Sequence, residues 1–283
     1  MLLPVVSIIK NCDADVLCID VLPWERRDRM EITIRSIKLN EIPLLELFKN
    51  DGAAKKPMVL LYHGYLGRKE FILPQAYNLA ANGFFVVVPD AYGHGDRSGS
   101  RIPELIDCAI RSAAEINGLI DRYRDSCEAD YARAGLAGYS MGGMITFQYM
   151  TMEDKRIRAA VPVISTPDWA SIVDGFNNRA RLDELKSYGI IKDDSELAGY
   201  RALAEAIQPI NRYELMKDIP LLMLCGGNDP VTVPAGAQRL YELLKPIFFD
   251  EESLRVKIFP GISHMDTIEM NMDLVNWMKK YVD

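Results

Sequence analysis

A serine stands between two glycines in residues 138–142, GYSMG, directly after an apolar run. Gly-x-Ser-x-Gly between a buried strand and a helix is typical of a sharp turn that lifts the serine hydroxyl above the edge of a sheet. Glycines suit the positions two before and two after the serine, because neighbouring backbone crowds both of them. The pattern therefore makes Ser140 a candidate nucleophile, provided that a base is placed to accept its proton.

Among the three histidines of the chain, His264 is the one whose position suits that base. It lies in FPGISHMD, beyond the last apolar run, and catalytic groups of parallel sheets gather beyond the carboxyl ends of the strands. Such a base is oriented by a carboxylate. Asp229 in CGGNDPVTVP ends the preceding apolar run and is the predicted acid, with Asp168 as the alternative. The order Ser140, Asp229, His264 is the one expected for this arrangement.

Attack on a carbonyl creates a negative oxygen, which needs fixed N–H donors. The predicted donors are the backbone N–H groups of Met141, at the start of a helix, and of Tyr65, in the loop after VLLYHGY. His63 and Gly64 are expected to shape that loop, with a structural role for His63. His94 in DAYGHGDRSG either borders the site or braces its own loop.

Composition excludes several other classes of function. The net charge of −7 argues against a nucleic-acid surface. The five cysteines include no CxxC pair, so neither a disulfide framework nor a metal site is expected, and Cys108 and Cys225 are predicted core residues. In the glycine-rich 90–99 segment, Asp96 and Arg97 occupy the place where a dinucleotide would need bare N–H groups, so no cofactor is expected. The sequence contains neither a signal peptide nor an apolar run of about 18 residues, which predicts a cytoplasmic protein without membrane association.

The sequence also predicts the strands and helices that position these residues. MEITIRSI and IPLLELF predict an antiparallel pair with one solvated face. Short apolar runs that end in Gly, Asp or Ser predict strands of a parallel sheet buried on both faces. They cover residues 57–64, 83–90, 133–140, 158–165, 219–229 and 254–261. Helical patterns such as 103–124 alternate with them, so we expect a doubly wound α/β fold in a single domain, residues 1–283.

One connection, residues 166–219, is too long for a plain crossover and predicts a small helical lid, with a helix at 195–208. Trp169 and Phe176 either line an acyl pocket or pack the lid onto the body.

Together, YHGYLGRKE, PDAYGHGDRSG, GYSMGGM, GGNDPVTVP and GISHMD resemble the α/β-hydrolase superfamily, spanning residues 57–280. Within it, the chain is most similar to small bacterial carboxylesterases of the dienelactone-hydrolase-like and prolyl-oligopeptidase-like branch. The resemblance implies an eight-stranded, mostly parallel sheet, a lid between the sixth and seventh strands, a Ser–Asp–His triad and no cofactor. True dienelactone hydrolases use a cysteine where this chain has Ser140, which argues against that reaction.

The expected function is hydrolysis of small-molecule carboxylic esters with short acyl chains through an acyl-enzyme. An aminopeptidase or amidase with the same triad is one alternative. A non-catalytic binding protein on the same scaffold is another. The natural substrate and the oligomeric state stay open.

Overall fold

The computed structural model describes residues 6–9, 16–21, 31–52, 55–99, 105–175 and 194–283. Its strands are β1 (Val6–Ile9), β2 (Val16–Val21), β3 (Glu31–Leu39), β4 (Ile42–Lys49), β5 (Lys56–Tyr62), β6 (Phe85–Pro89), β7 (Ala129–Tyr139), β8 (Ala159–Val163), β9 (Leu221–Gly226) and β10 (Leu254–Phe259). Its helices are α1 (Leu73–Ala81), α2 (Leu105–Asp121), α3 (Met141–Met150), α4 (Trp169–Gly175), α5 (Asp194–Ile207), α6 (Ala235–Leu244) and α7 (Ile268–Tyr281).

Within the described ranges, all the strands form one sheet in the order β1-β2-β3-β4-β6-β5-β7-β8-β9-β10. The pairs from β1 to β4, and β4 with β6, are antiparallel. From β6 through β10 every pair is parallel. The predicted eight-stranded, mostly parallel sheet therefore corresponds to β3–β10 and is confirmed. Strands β1 and β2 extend it and were not predicted, because runs of four and six residues carry little signal on their own.

The parallel strands are buried on both faces, as their continuous apolar runs predicted. Every residue of β5, β6, β8 and β9 is buried. One face packs against α2, α3, α6 and the helices of the 166–219 connection. The other face packs against α1 and α7. Parallel strands thus end together at one edge of a sheet covered on both sides, where their following loops meet.

The 166–219 connection contains α4, α5 and a 3-10 helix, Pro209–Met216, between β8 and β9. Helix α4 packs against α5, and both place apolar residues in the core. Helix α5 matches the predicted helix within one residue. Phe176 lies outside the described residues.

Two sequence-based expectations concerned the cysteines and membrane-spanning segments. Cys108 and Cys225 are buried, as predicted, and burial raises the pKa of each thiol to about 12. Among the described helices, none has both the length and the hydropathy that crossing a bilayer requires.

Strand β10 forms one edge of the sheet among the described strands, and it carries Arg255 and Lys257.

Candidate active site

Ser140 occupies the turn between β7 and α3, with a φ of 55° and a ψ of −111°. Positive φ is unusual for a residue with a Cβ and stores strain that the surrounding structure must hold. The Ser140 N–H donates to the carbonyl of Val163 at 2.9 Å, which fixes the turn to the end of β8. The sharp turn predicted from the glycine pattern is therefore present.

The two glycines allow backbone segments to approach closely around that serine. A Cβ on Gly142 would lie 2.7 Å from the carbonyl carbon of Tyr62, at the end of β5. A Cβ on Gly138 would lie 2.7 Å from the Cα of Gly142. Both contacts are shorter than real Cβ atoms make, so only glycine lets the start of α3 pack against β5 and β7.

Three predicted side chains form one hydrogen-bonded chain. The Ser140 hydroxyl lies 2.8 Å from His264 Nε2, and His264 Nδ1 lies 2.8 Å from Asp229 Oδ2. A carboxylate accepts hydrogen bonds, so Nδ1 carries the proton and Nε2 is left to accept from the serine. The arrangement has the connectivity that activates a serine for attack.

Asp229 is held in place by the turn that follows it. Its Oδ1 accepts from the N–H groups of Val231 and Thr232 at 2.8 and 2.9 Å, and its Oδ2 accepts from the Thr232 hydroxyl at 2.8 Å. Burial alone would raise the pKa of Asp229, which is 2% exposed, but hydrogen bonds from His264 and Thr232 outweigh it and lower the pKa below its usual value. The carboxylate therefore stays ionised beside the imidazole.

The alternative acid occupies a different position. The Asp168 carboxylate accepts from the Ser171 N–H at 3.2 Å and caps the first turn of α4. His264 pairs with Asp229 instead. Sequence reasoning overlooked Thr232, although an aspartate followed three residues later by threonine is a recognisable hydrogen-bonded turn.

The loop after β5 lies directly against the serine. A Cβ on Gly64 would be 3.6 Å from the Ser140 Cβ, an ordinary contact distance. His63, which is fully buried, donates through Nδ1 to the Gly64 carbonyl at 2.8 Å and accepts from the Ala91 N–H at 3.1 Å through Nε2. Burial lowers the pKa of His63 to about 4, so the ring is neutral and joins two loops. Tyr65 follows Gly64 in this loop.

A charge cluster around the buried Lys69 and Asp90 fixes the far end of the same loop. Lys69 Nζ lies 3.0 Å from Asp90 Oδ2 and 2.5 Å from Asp96 Oδ2, and the Lys69 N–H donates to Asp90 Oδ1 at 2.8 Å. Burial alone would lower the pKa of Lys69, but hydrogen bonds to Asp96, Asp90 and Glu70 raise it. The segment between His63 and Lys69 is thus tied at both ends to the segment after β6.

The remaining predicted residues lie as follows. Met141 is the first residue of α3, where backbone N–H groups have no partner within the helix. His94 is buried, donates through Nδ1 to the Tyr92 carbonyl at 3.0 Å and packs on the Tyr65 ring with centroids 5.3 Å apart. It therefore braces its own loop and also contacts the loop beside the serine. Trp169, the first residue of α4, is fully buried in the core.

The described part of the chain brings together no group of three or more His, Cys, Asp or Glu side chains that could hold a metal ion.

Comparison with known proteins finds a matching family model and related sequences. Residues 53–170 match the family model described as serine aminopeptidase, S33. YitV of Bacillus subtilis (strain 168) is 26% identical over 264 residues, which cover 89% of this chain and 100% of that protein. Esterase YjfP of Escherichia coli (strain K12) is 24% identical over 256 residues, with coverage of 89% and 100%.

Solved structures agree on the fold. TT1662 from Thermus thermophilus superposes with a TM-score of 0.66 at 23% identity, covering 90% of this chain and 99% of that one. The chain has the α/β-hydrolase fold. The Pyrococcus furiosus esterase Pf2001 superposes on this hydrolase with a TM-score of 0.63 at 19% identity, covering 90% and 94% of the two chains. The predicted superfamily and fold are confirmed, and the related sequences indicate an esterase-type hydrolase.

Proposed function

We propose that this α/β-hydrolase cleaves carboxylic esters of small molecules through a Ser140–His264–Asp229 triad. The observation that carries the proposal is the continuous hydrogen-bonded chain, with 2.8 Å at both links, that begins at a serine in a strained turn. A binding protein has no need of this arrangement, whereas acyl transfer requires each part of it.

The reaction follows from the geometry. Ser140 Oγ attacks the ester carbonyl while His264 Nε2 accepts its proton, and Asp229 stabilises the imidazolium that forms. The carbonyl oxygen becomes an oxyanion, for which we propose the N–H groups of Met141 and Tyr65 as donors, because both lie in segments packed against Ser140. The C–O bond then breaks, and His264 protonates the departing alcohol.

Water completes the cycle. His264 accepts a proton from a water molecule as that water attacks the acyl-enzyme, and the second tetrahedral intermediate collapses to release a carboxylic acid and to restore the Ser140 hydroxyl. We propose that the 166–219 connection acts as a lid, which sets the size of the acyl pocket without supplying chemistry, with short acyl chains favoured. His94 and Trp169 support the pocket from the side of the loops and of the lid.

A second candidate function is cleavage of an aminoacyl amide bond by the same triad. The observation that favours it is the match of residues 53–170 to the serine aminopeptidase family model. Amides differ from esters in the poorer leaving group, so the two activities are distinguished by rate on matched substrates.

The test is a panel of p-nitrophenyl acyl esters and aminoacyl p-nitroanilides, together with labelling by a fluorophosphonate. Wild type is expected to react stoichiometrically with the probe and to prefer the esters. Ser140→Ala should lower ester turnover on the order of 10³-fold or more with folding intact. Ser126→Ala, at the opposite end of β7, is the matched control. Unchanged turnover in Ser140→Ala would refute the triad, and faster anilide cleavage would favour the peptidase.

A further inference from the structure

Most of the exposed large apolar side chains of the described residues lie in segments around the triad. Nine large apolar side chains are exposed among the described residues. Six of them lie in the segments that surround Ser140, His264 and Asp229, namely Leu66, Phe71, Val233, Met265, Ile268 and Met272. Single exposed apolar residues are ordinary, but a group of them beside a site marks a surface that binds something.

One carboxylate, Asp266, links the segments that carry four of these residues. Its Oδ2 accepts from Gln75 Nε2 on α1 at 2.9 Å and from Asn271 Nδ2 on α7 at 2.9 Å. Phe71 lies one turn before Gln75, and Met265 is adjacent to Asp266. Ile268 and Met272 lie four apart in the first turns of α7 and therefore share a face. We call Phe71, Met265, Ile268 and Met272 the apolar rim.

The helix that bears two rim residues, α7, is tied to the residue before the serine, and a third rim residue is next to the histidine. Asn271 Oδ1 accepts from the hydroxyl of Tyr139, the residue before Ser140. Met265 follows His264 directly. The start of α7 is thus fixed beside the turn that bears the nucleophile, on the side of the sheet opposite to the lid helices.

Charged side chains next to the rim are already paired. Arg68 Nε lies 2.6 Å from Glu70, and Glu269 lies 2.8 Å from Lys257. Asp266 differs, because its two amide donors satisfy its hydrogen bonds without neutralising its charge. The rim therefore offers apolar surface beside one carboxylate, which disfavours a negative charge on the bound molecule.

The chemistry of the proposed function decides which half of a substrate meets this surface. His264 must deliver its proton to the departing oxygen, so the alcohol half of the ester has to lie on the His264 side of Ser140. We infer that the substrates are esters of apolar alcohols, whose alcohol half binds on the apolar rim. This inference rests on the proposed esterase function and adds to it the class of alcohol.

The experiment compares two ester series that differ in the half that is lengthened. One series is acetyl esters of linear alcohols from ethyl to octyl, and the other is ethyl esters of linear acids of the same lengths. Linear alcohols hardly differ as leaving groups, so a trend along the first series reports binding. We expect kcat/KM to rise along it by about two- to fourfold per methylene until the rim is covered.

Variants link the trend to the rim. Met265→Gln and Ile268→Asn are expected to flatten the alcohol series more than the acid series, whereas Phe249→Asn, also exposed but outside the rim, should leave both slopes unchanged. Phe71→Gln serves if either rim variant fails to fold.

The results distinguish failure of the inference from failure of the proposed function. A flat alcohol series in wild type, or equal losses in both series in the rim variants, would overturn the inference. So would a wild-type dimer that Ile268→Asn converts to a monomer with unchanged slopes, because the rim would then be an interface between copies. Absence of fluorophosphonate labelling and of any ester turnover would instead refute the proposed function itself.

Discussion

Replacing Lys69 with methionine removes the positive charge from a cluster that joins the two loops beside the serine. Lys69 is 1% exposed and Asp90 is fully buried, whereas the side chains of Asp96 and Glu70 are 52% and 36% exposed. Water can therefore take over from Lys69 at Asp96 and Glu70, but not at Asp90. Leaving one buried charge without its partner costs about 3–5 kcal/mol, so we expect Lys69→Met to lower the free energy of unfolding by this amount.

A double-mutant cycle measures the interaction free energy between Lys69 and Asp90. Asp90→Asn keeps one acceptor oxygen but loses another, so an N–H of Lys69 or Asp96 is left unpaired, at a cost of about 1–3 kcal/mol. Because the double variant contains no unpaired buried charge, we expect it to be less destabilised than the sum of the single variants by about 2 kcal/mol.

Urea denaturation followed by circular dichroism at pH 7 measures all three variants. Lys257→Met is the matched control, since Lys257 also contacts two carboxylates, of Glu269 and Asp273, but is 42% exposed. Exposed pairs contribute at most about 1 kcal/mol, so the control should change stability by no more than this. If Lys69→Met lost no more stability than Lys257→Met, or if the cycle were additive, the buried pair would not be what holds these loops.

Two further predictions concern the acid and the pH dependence of stability. Asp229→Asn should lower kcat on the order of 10⁴-fold because the imidazole would be held in the wrong tautomer, while Asp168→Asn should change it little; the reverse order in steady-state kinetics would reassign the acid. The pKa of His63 is about 4 in the folded protein and 6.5 in the unfolded chain, so the unfolded state binds more protons between these values and stability falls as pH falls. Between pH 7 and pH 5 the loss in the free energy of unfolding from this histidine is about 2 kcal/mol. The His63→Gln variant should therefore lose about 2 kcal/mol less than wild type over this range. If urea titrations showed the same pH dependence for both proteins, the prediction would be wrong.

The parts of the site that sequence predicted are those whose signal is local. Ser140 is flanked by glycines within five residues, and Asp229 and His264 each follow directly on an apolar strand, so strand order alone brings them to one edge. Lys69 and Asp90 could not be predicted as a pair, because they belong to different loops and their contact depends on how β5 and β6 align. Trp169 could be placed in the connection after β8, but its complete burial depends on helices that pack from further along the chain.

Strand β10 has a consequence for how molecules of this hydrolase behave at high concentration. It pairs only with β9 among the described strands, so one row of its backbone donors and acceptors faces outward. Arg255 and Lys257 stand on this strand, and Lys257 is anchored to Glu269 and Asp273 of α7. Charged side chains on an open edge oppose the addition of a strand from another molecule. Changes that neutralise these two positions would therefore promote aggregation without altering the active site or the packed core.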